Sequence, residues 1–382
     1  FGQVQVKKTV APTYDQHYDW AVTKSADDPL NQFDGETGVF TWTVEAIRTA
    51  GLKDNHKIAG TVTISNAGPG NVVVTGISDT TDTGVTIPLS CGLGANPYPY
   101  LLVANGVINC TYPATAVPSN TQQNNVTVAT SNGPVYGNAP VSFVGATVTP
   151  INATAVLSDT LLGIEETLTG STGPVSYPQT VVNVCADNSG VTWTPGDDWT
   201  DYKREGDIVN TAVLYPSSGP QNDTTKFDDA EATQEINCFR LQTNKSADTS
   251  LVHTWDWFIT KDVSQNTVDL TYPTTQEITY TVSVTRSALP TPSDWKVFGN
   301  ITIVNPAPMA TLVDIEDVLS DNGVAFGNGD PLACTINAAP VTPNGSGLYQ
   351  VPAGATLVCS YNEDVPAANW QSAALTNTAL IT

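Results

Sequence analysis

Two stretches of this chain repeat each other, and internal self-similarity constrains a fold more than any other feature of a sequence. Residues 6–24 (VKKTVAPTYDQHYDWAVTK) align without a gap on residues 243–261 (TNKSADTSLVHTWDWFITK). Lys8, Asp19, Trp20, Thr23 and Lys24 recur as Lys245, Asp256, Trp257, Thr260 and Lys261 at an offset of 237. FTWTVEAIR (40–48) then matches ITYTVSVTR (278–286) at 238, and KIAGTVTISN (57–66) matches KVFGNITIVN (296–305) at 239. Cys91 and Cys110 match Cys334 and Cys359 at 243 and 249, and NVTVAT (125–130) matches NTALIT (377–382) at 252. An offset that only grows is the mark of one fold used twice, with loops lengthening and strands conserving their length.

The matched blocks alternate with period two. Phe40, Trp42, Val44 and Ala46 share one face against Thr41, Thr43 and Glu45, and Ile278, Tyr280, Val282 and Val284 do the same in the second copy. That period specifies half-buried antiparallel strands. Turn clusters separate them, at residues 66–70, 305–308, 322–323 and 344–345. About seven short strands per copy indicate an immunoglobulin-like β-sandwich. The stretch between the copies reads as a different sandwich, with strands expected near 153–159, 175–185, 207–215 and 230–238. The expected fold is therefore all-β, three tandem immunoglobulin-like antiparallel sandwiches in an A–B–A arrangement: residues 1–131, 132–241 and 242–382. A repeating A–B pair makes a longer array an expectation as well. Residues 131–140 (SNGPVYGNAP) read as a linker that bends or stiffens at its prolines, and the short junction at 238–241 reads as a rigid B–A joint.

Six cysteines without a CxxC pair, Cys91, Cys110, Cys185, Cys238, Cys334 and Cys359, point to disulfides in an oxidising compartment. The repeat selects Cys91–Cys110 and Cys334–Cys359, which leaves Cys185–Cys238. Fourteen Lys and Arg against 37 Asp and Glu give a net charge of −23, opposite to what a nucleic-acid binder needs. No apolar run is long enough to span a membrane as a helix. The chain starts at Phe1 without a visible signal peptide, which reads as a processed chain or a piece of a longer one.

Trp20, Trp257 and Trp42 are expected as core aromatics. Asp19 and Asp256 are expected to meet Lys or a backbone amide, and Lys24 and Lys261 to be solvated strand ends. A Lys–Asn isopeptide bond to Asn125 or Asn377 is a minor alternative for these lysines. Acidic clusters occur at Asp197, Asp198 and Asp201, at Asp228 and Asp229, and at Asp314, Glu316, Asp317 and Asp321. The first is a weak calcium candidate, solvated acid being the blander reading, and no other metal or cofactor is expected. Asn-X-Ser/Thr triplets place candidate glycosylation sites at Asn109, Asn125, Asn152, Asn222, Asn244, Asn300 and Asn344, with Asn109, beside Cys110, expected to be the least accessible. No HExxH, GxSxG, P-loop or dinucleotide fingerprint occurs, so no enzymatic role is expected.

Lys245-Ser-Ala-Asp248 with HTWDWFITK (253–261), Tyr280-Thr-Val282, DWKVFGNITIVNP (294–306), VPAGATLVCSY (351–361) and Asn377-Thr-Ala379 resemble the tandem immunoglobulin-like repeats of bacterial, archaeal and some algal cell-surface proteins, mastigonemes included. The middle stretch shares Asn210-Thr-Ala212, while the first copy departs at Val10-Ala-Pro12 and lacks the Val-Pro-Ala-Gly before its cysteine. The resemblance implies a structural, extracellular role: a disulfide-braced subunit of a surface filament, appendage or stalk. Its partners would be copies of itself, stacked head-to-tail or laterally, with no direct membrane insertion. The competing expectation is an adhesin that holds a glycan or protein through exposed aromatics such as Tyr98, Tyr100, Trp193 and Trp199.

Overall fold

The computed structural model describes residues 2–196, 199–326 and 332–382, with Thr200 described by its backbone alone. The chain is all-β: strands run from Val4–Lys8 to Leu375–Ile381, and the described residues contain no α-helix. It divides into two compact units. One comprises residues 1–27, 40–179 and 209–233, the other residues 28–39, 180–208 and 234–382.

In the first unit two long strands, Ala11–Ala26 and Gly38–Asn66, pair antiparallel from Ala11–Ala59 to Ala26–Trp42. Val4–Lys8 and Val107–Ala116 flank the far end of Gly38–Asn66. Thr147–Ile151 adds parallel to Thr13–His17. A second sheet runs in the order Tyr100–Leu102, Val72–Thr81, Gln123–Thr130, Val135–Pro140. Residues 135–140 are thus a paired strand, where the sequence suggested a linker. Its alternation was masked by Gly137 and Pro140, which an edge strand tolerates.

Between these sheets Ile58, Val62 and Ile64 pack with Val74, Ile108, Val126 and Val128. The near ends of the same two long strands belong to another core. Trp20, Val22, Val44 and Ala46 pack there with Ala155, Leu157, Leu168, Ala212 and Leu214. A strand of 29 residues is long enough to leave one apolar core and enter the next. The middle stretch therefore completes its core with side chains that the sequence had assigned to the first sandwich.

In the second unit Leu30–Phe33 runs parallel to Ile236–Phe239, and Cys185 is bonded to Cys238. The second copy pairs Gln242–Lys245, Asp248–Thr254 and Thr356–Asp364 with Thr291–Val304. Ala333–Ile336 lies beyond Thr356–Asp364. Facing these, Ile315–Asp321 pairs with Leu375–Ile381, and Thr311–Val313 with Tyr349–Val351. Ile301, Ile303, Val313, Leu319, Val351 and Leu357 fill the space between. Trp257–Val263 and Tyr280–Arg286 form a two-stranded hairpin of their own.

The other two disulfides are Cys91–Cys110 and Cys334–Cys359. Cys334 and Cys359 are directly opposed on neighbouring strands of one sheet, so this bond staples a ladder and does not tie two sheets face to face, as a sandwich-locking disulfide would. Three disulfides fit an oxidising, extracellular setting. Among the described residues no helix is long and apolar enough to cross a membrane.

Candidate functional site, a buried lysine–aspartate–asparagine cluster in three places

Each of the three cores holds one lysine whose ammonium lies on a buried carboxylate. In the first copy Lys8 Nζ donates to Asp79 Oδ2, and both side chains are sealed from solvent. In the middle stretch Lys24 donates to Asp159 Oδ2, again fully sealed. In the second copy Lys245 donates to Asp317 Oδ1. Lys24 is therefore no solvated strand end. The strand Ala11–Ala26 carries it inward with Trp20 and Val22, all at even positions of one face.

An aromatic ring roofs each ammonium. Lys8 Nζ lies 4.8 Å from the Tyr112 ring centre, Lys24 Nζ 5.2 Å from that of Trp42, and Lys245 Nζ 4.6 Å from that of Tyr361. Tyr112 and Tyr361 are fixed by the same bond, from the hydroxyl to a backbone carbonyl one residue past each lysine: Thr9 O and Ser246 O, both at 2.5 Å. Gly60 and Gly299 leave room for that bond. A Cβ there would sit 2.2 Å from Thr9 O or 2.1 Å from Ser246 O.

An asparagine completes each cluster: Asn124 and Asn210 are buried, and Asn377 is half-buried with its amide atoms enclosed. Val126 faces Asp79 and Ala379 faces Asp317 across their ladders. Asn124 and Asn377 each lie two residues earlier on the same face. In the middle stretch Ser158 faces Val213, so Asp159 continues onto Ala212 with Asn210 two residues before it. The sequence alignment placed Asn125 opposite Asn377; the ladders place Asn124 there. A one-residue shift exchanges the faces of a strand, and Asn125 is only half-buried while Asn124 is fully enclosed.

Both amide atoms of Asn124 and of Asn377 are buried without a hydrogen bond, as are Asn210 Nδ2, Asp79 Oδ1 and Asp317 Oδ2. Asn124 still lies close enough to Asp79 and to the Tyr112 hydroxyl to pull the pKa of both down against burial, and Asn377 does the same to the Tyr361 hydroxyl. We take each as a neighbour in contact that is not aligned as a donor or acceptor. Burial pushes the Asp79 carboxyl up and the Lys8 ammonium down, against the opposing pull of their mutual ion pair. Burial likewise lowers Lys24 against the pull of Asp159. Burial raises the Tyr112 hydroxyl to about 12 and shifts Tyr361 in the same direction. Removing charge from water without ideal pairing is costly, so the Lys8–Asp79 site favours the neutral amine and neutral acid more than water does.

The other expected site residues are dispersed. Trp20 is buried and its Nε1 donates to Asn152 O at 2.8 Å; Trp42 is buried and donates to Gln179 Oε1 at 2.6 Å. Trp257 is corrected: it is exposed, because the hairpin that carries it covers no core. Trp193 and Trp199 are half-buried and lie under Arg204 at 4.0 Å and Arg240 at 3.8 Å, which covers one face of each ring. Asp197 and Asp198 lie outside the described residues, and Asp201 is exposed. Among the described residues no group of acids or histidines is spaced to hold a metal. Asp228 caps Val22 N at 2.9 Å, and Asp321 accepts from Asn369 and Ser372. Asn109 is exposed on its strand, contrary to expectation, since alternate residues face outward beside a buried cysteine. Asn152, Asn222, Asn244, Asn300 and Asn344 are also exposed.

The sequence missed Asp79 and Asp159 and set Asp317 only in an acidic cluster. A signal for the first two was present in the shared Ser-Asp-Thr of ISDT (77–80) and LSDT (157–160), and one for two of the asparagines in Asn210-Thr-Ala212 and Asn377-Thr-Ala379.

No family model matches the chain, and no curated protein matches it. Among solved structures it is similar to a secreted serine protease, VesC from Vibrio cholerae, at 8% identity and a TM-score of 0.18. That alignment covers 94% of this chain and 51% of the protease, so the chain spans about half the length of that protein. It is also similar to a marsupial T cell receptor at 10% identity and a TM-score of 0.13, covering 95% and 99% of the two chains. The expectation that the chain is not an enzyme is withdrawn, because the first of these likenesses is to an enzyme. Both TM-scores are too low to carry an argument about fold or activity, and no reaction or residue is taken from either protein.

Proposed function

We propose that this chain is an extracellular structural protein, built from immunoglobulin-like sandwiches in an A–B–A order, that serves as a repeat subunit of a cell-surface filament or stalk. One observation supports the reading above the rest. Trp20, Val22 and Trp42 are 6%, 5% and 0% exposed, while their repeat equivalents Trp257, Ile259 and Tyr280 are 66%, 72% and 59% exposed. In the first copy the middle module buries this hairpin. In the second copy the same apolar face is bare, although its internal order is kept: Lys261 Nζ lies 4.4 Å from the Tyr280 ring centre, as Lys24 lies over Trp42. Among the described residues Lys261 has no carboxylate partner to play the part of Asp159.

A face of this kind is what a further B-type module would cover, presented behind the second copy as residues 142–241 are presented behind the first. A chain whose A modules each take up the following B module extends by repetition, in the manner of strand addition between neighbours. A net charge of −23 keeps such a polymer hydrated. Immunogold electron microscopy of the source cells with an antibody to this chain tests the role. Gold along surface filaments or stalks is the expected result; gold confined to secreted, unassembled material would reject it.

A further inference from the structure

We infer that the three buried clusters are sites of spontaneous isopeptide bond formation, joining Lys8 to Asn124, Lys24 to Asn210 and Lys245 to Asn377 with Asp79, Asp159 and Asp317 as the proton carriers. Each site sets an amine on a carboxyl group under an aromatic ring, with a carboxamide on the same face of the neighbouring strand; the amine and carboxyl are sealed from water at the first two sites and nearly so at the third. Amides resist attack in water because the amine is protonated and the leaving group is poor. Here the enclosure removes the first obstacle and the aspartate answers the second.

The step balances without any added reagent. A proton passes from the lysine ammonium to the aspartate, leaving a neutral amine and a neutral acid. The Nζ lone pair attacks Cγ of the asparagine while the carboxylic acid donates to Oδ1, which carries the developing negative charge. The carboxylate then takes a proton from Nζ and delivers it to Nδ2. The Cγ–Nδ2 bond breaks, ammonia leaves, and the aspartate ends protonated. Amine and primary amide become secondary amide and ammonia, and escape of ammonia drives the exchange forward.

Three features of the molecule support the assignment. Asn124 and Asn377 are enclosed yet make no hydrogen bond through either amide atom, a rare and costly state for a carboxamide. One oxygen of Asp79 and one of Asp317 are likewise left over. The set recurs three times, in a sequence that otherwise drifts. A charged pair kept only for stability is weak evidence of benefit, since apolar residues of similar volume commonly do as well. A reactive triad must keep all three members.

The bonds would join an early strand of each core to a late one, Val4–Lys8 to Gln123–Thr130 in the first copy and Gln242–Lys245 to Leu375–Ile381 in the second. Pulling on the two ends of such a module loads that bond before any ladder of hydrogen bonds. The inference stands apart from the filament reading: a monomeric secreted protein would form the bonds equally.

Intact mass of the full folded chain, measured after denaturation and reduction of the disulfides, tests it. The expected result is a mass below that of the sequence by one ammonia for each of the three sites, with branched peptides linking Lys8 to Asn124, Lys24 to Asn210 and Lys245 to Asn377. Asp79→Asn, Asp159→Asn and Asp317→Asn are close in shape to the native side chains and should each restore one ammonia, and Lys8→Met should do so at the first site. An unreduced sequence mass in the wild-type chain overturns the inference. A loss at one or two sites upholds it there and rejects it at the others, and a loss that persists in the aspartate variants rejects the role of the carboxyl.

Discussion

At the scale of single residues, the burial of polar groups carries most of the information. Asn66 and Asn305 are enclosed like Asn124, but they are fully used. Asn66 Nδ2 donates to Gly70 O at 2.8 Å, Leu102 O at 3.2 Å and Val103 O at 3.1 Å, while its Oδ1 accepts from Gly68 N. Asn305 repeats the pattern on Met309, Val351, Pro352 and Ala307. Asn66 and Asn305 are thus well satisfied, and Asn237 leaves only its Oδ1 unpaired, whereas Asn124 and Asn377 leave both amide atoms unpaired. Tyr112 gives a pH prediction. Its folded hydroxyl titrates at about 12 against 10 in the unfolded chain, so between those values the unfolded state loses a proton that the folded state keeps. Stability therefore falls as pH rises through that window. In Tyr112→Phe, urea midpoints compared between neutral and strongly alkaline solution should fall less steeply than in the wild type. Gly60→Ala tests the close approach beneath the same tyrosine. Its Cβ meets a backbone carbonyl, and such overpacking costs about 1–3 kcal/mol, to be read as a shift in urea midpoint. Gly76, where a Cβ meets nothing, serves as the control, and an equal midpoint for the two variants would refute the steric account.

At the scale of elements, the hairpin Trp257–Val263 with Tyr280–Arg286 is the outlier. An isolated two-stranded hairpin is marginal in water, and this one turns Trp257, Ile259, Tyr280, Val282 and Val284 to solvent. Attaching a second copy of residues 142–241 behind Thr382 should slow amide hydrogen exchange across 257–263 and 280–286. Val282→Asp should abolish that protection without changing exchange in 315–321. Unchanged exchange in the extended chain would show that a B-type module is not what covers the face. Parts of this scale were readable in the sequence. The strands at 40–46 and 278–284 show as period two because one face of each is apolar. The edge strand at 135–140 did not, since glycine and proline carry no alternation.

At the scale of the whole molecule, covalent closure is the theme. Cys185–Cys238 spans 53 residues, while Cys91–Cys110 and Cys334–Cys359 span 19 and 25. On chain-entropy grounds its loss should cost most, about 4 kcal/mol against about 3 for either of the others. Paired Cys→Ser variants compared by urea midpoint would show that order; equal or reversed costs would show that native-state strain or residual structure outweighs loop length.

The sequence by itself determined that the chain is all-β, that two of its stretches repeat each other residue for residue at matched positions, and which cysteines pair, because alternation and duplication are properties of the order of residues. Only the tertiary structure decided that Asn124 and not its neighbour shares the buried face with Asp79, that Lys24 is buried, and that Trp20 and Trp257 have opposite surroundings. Those outcomes depend on strand register and on which core receives the end of a long strand, and both are set by contacts between residues distant in the chain, such as Asp79 with Val126 and Lys24 with Asp159.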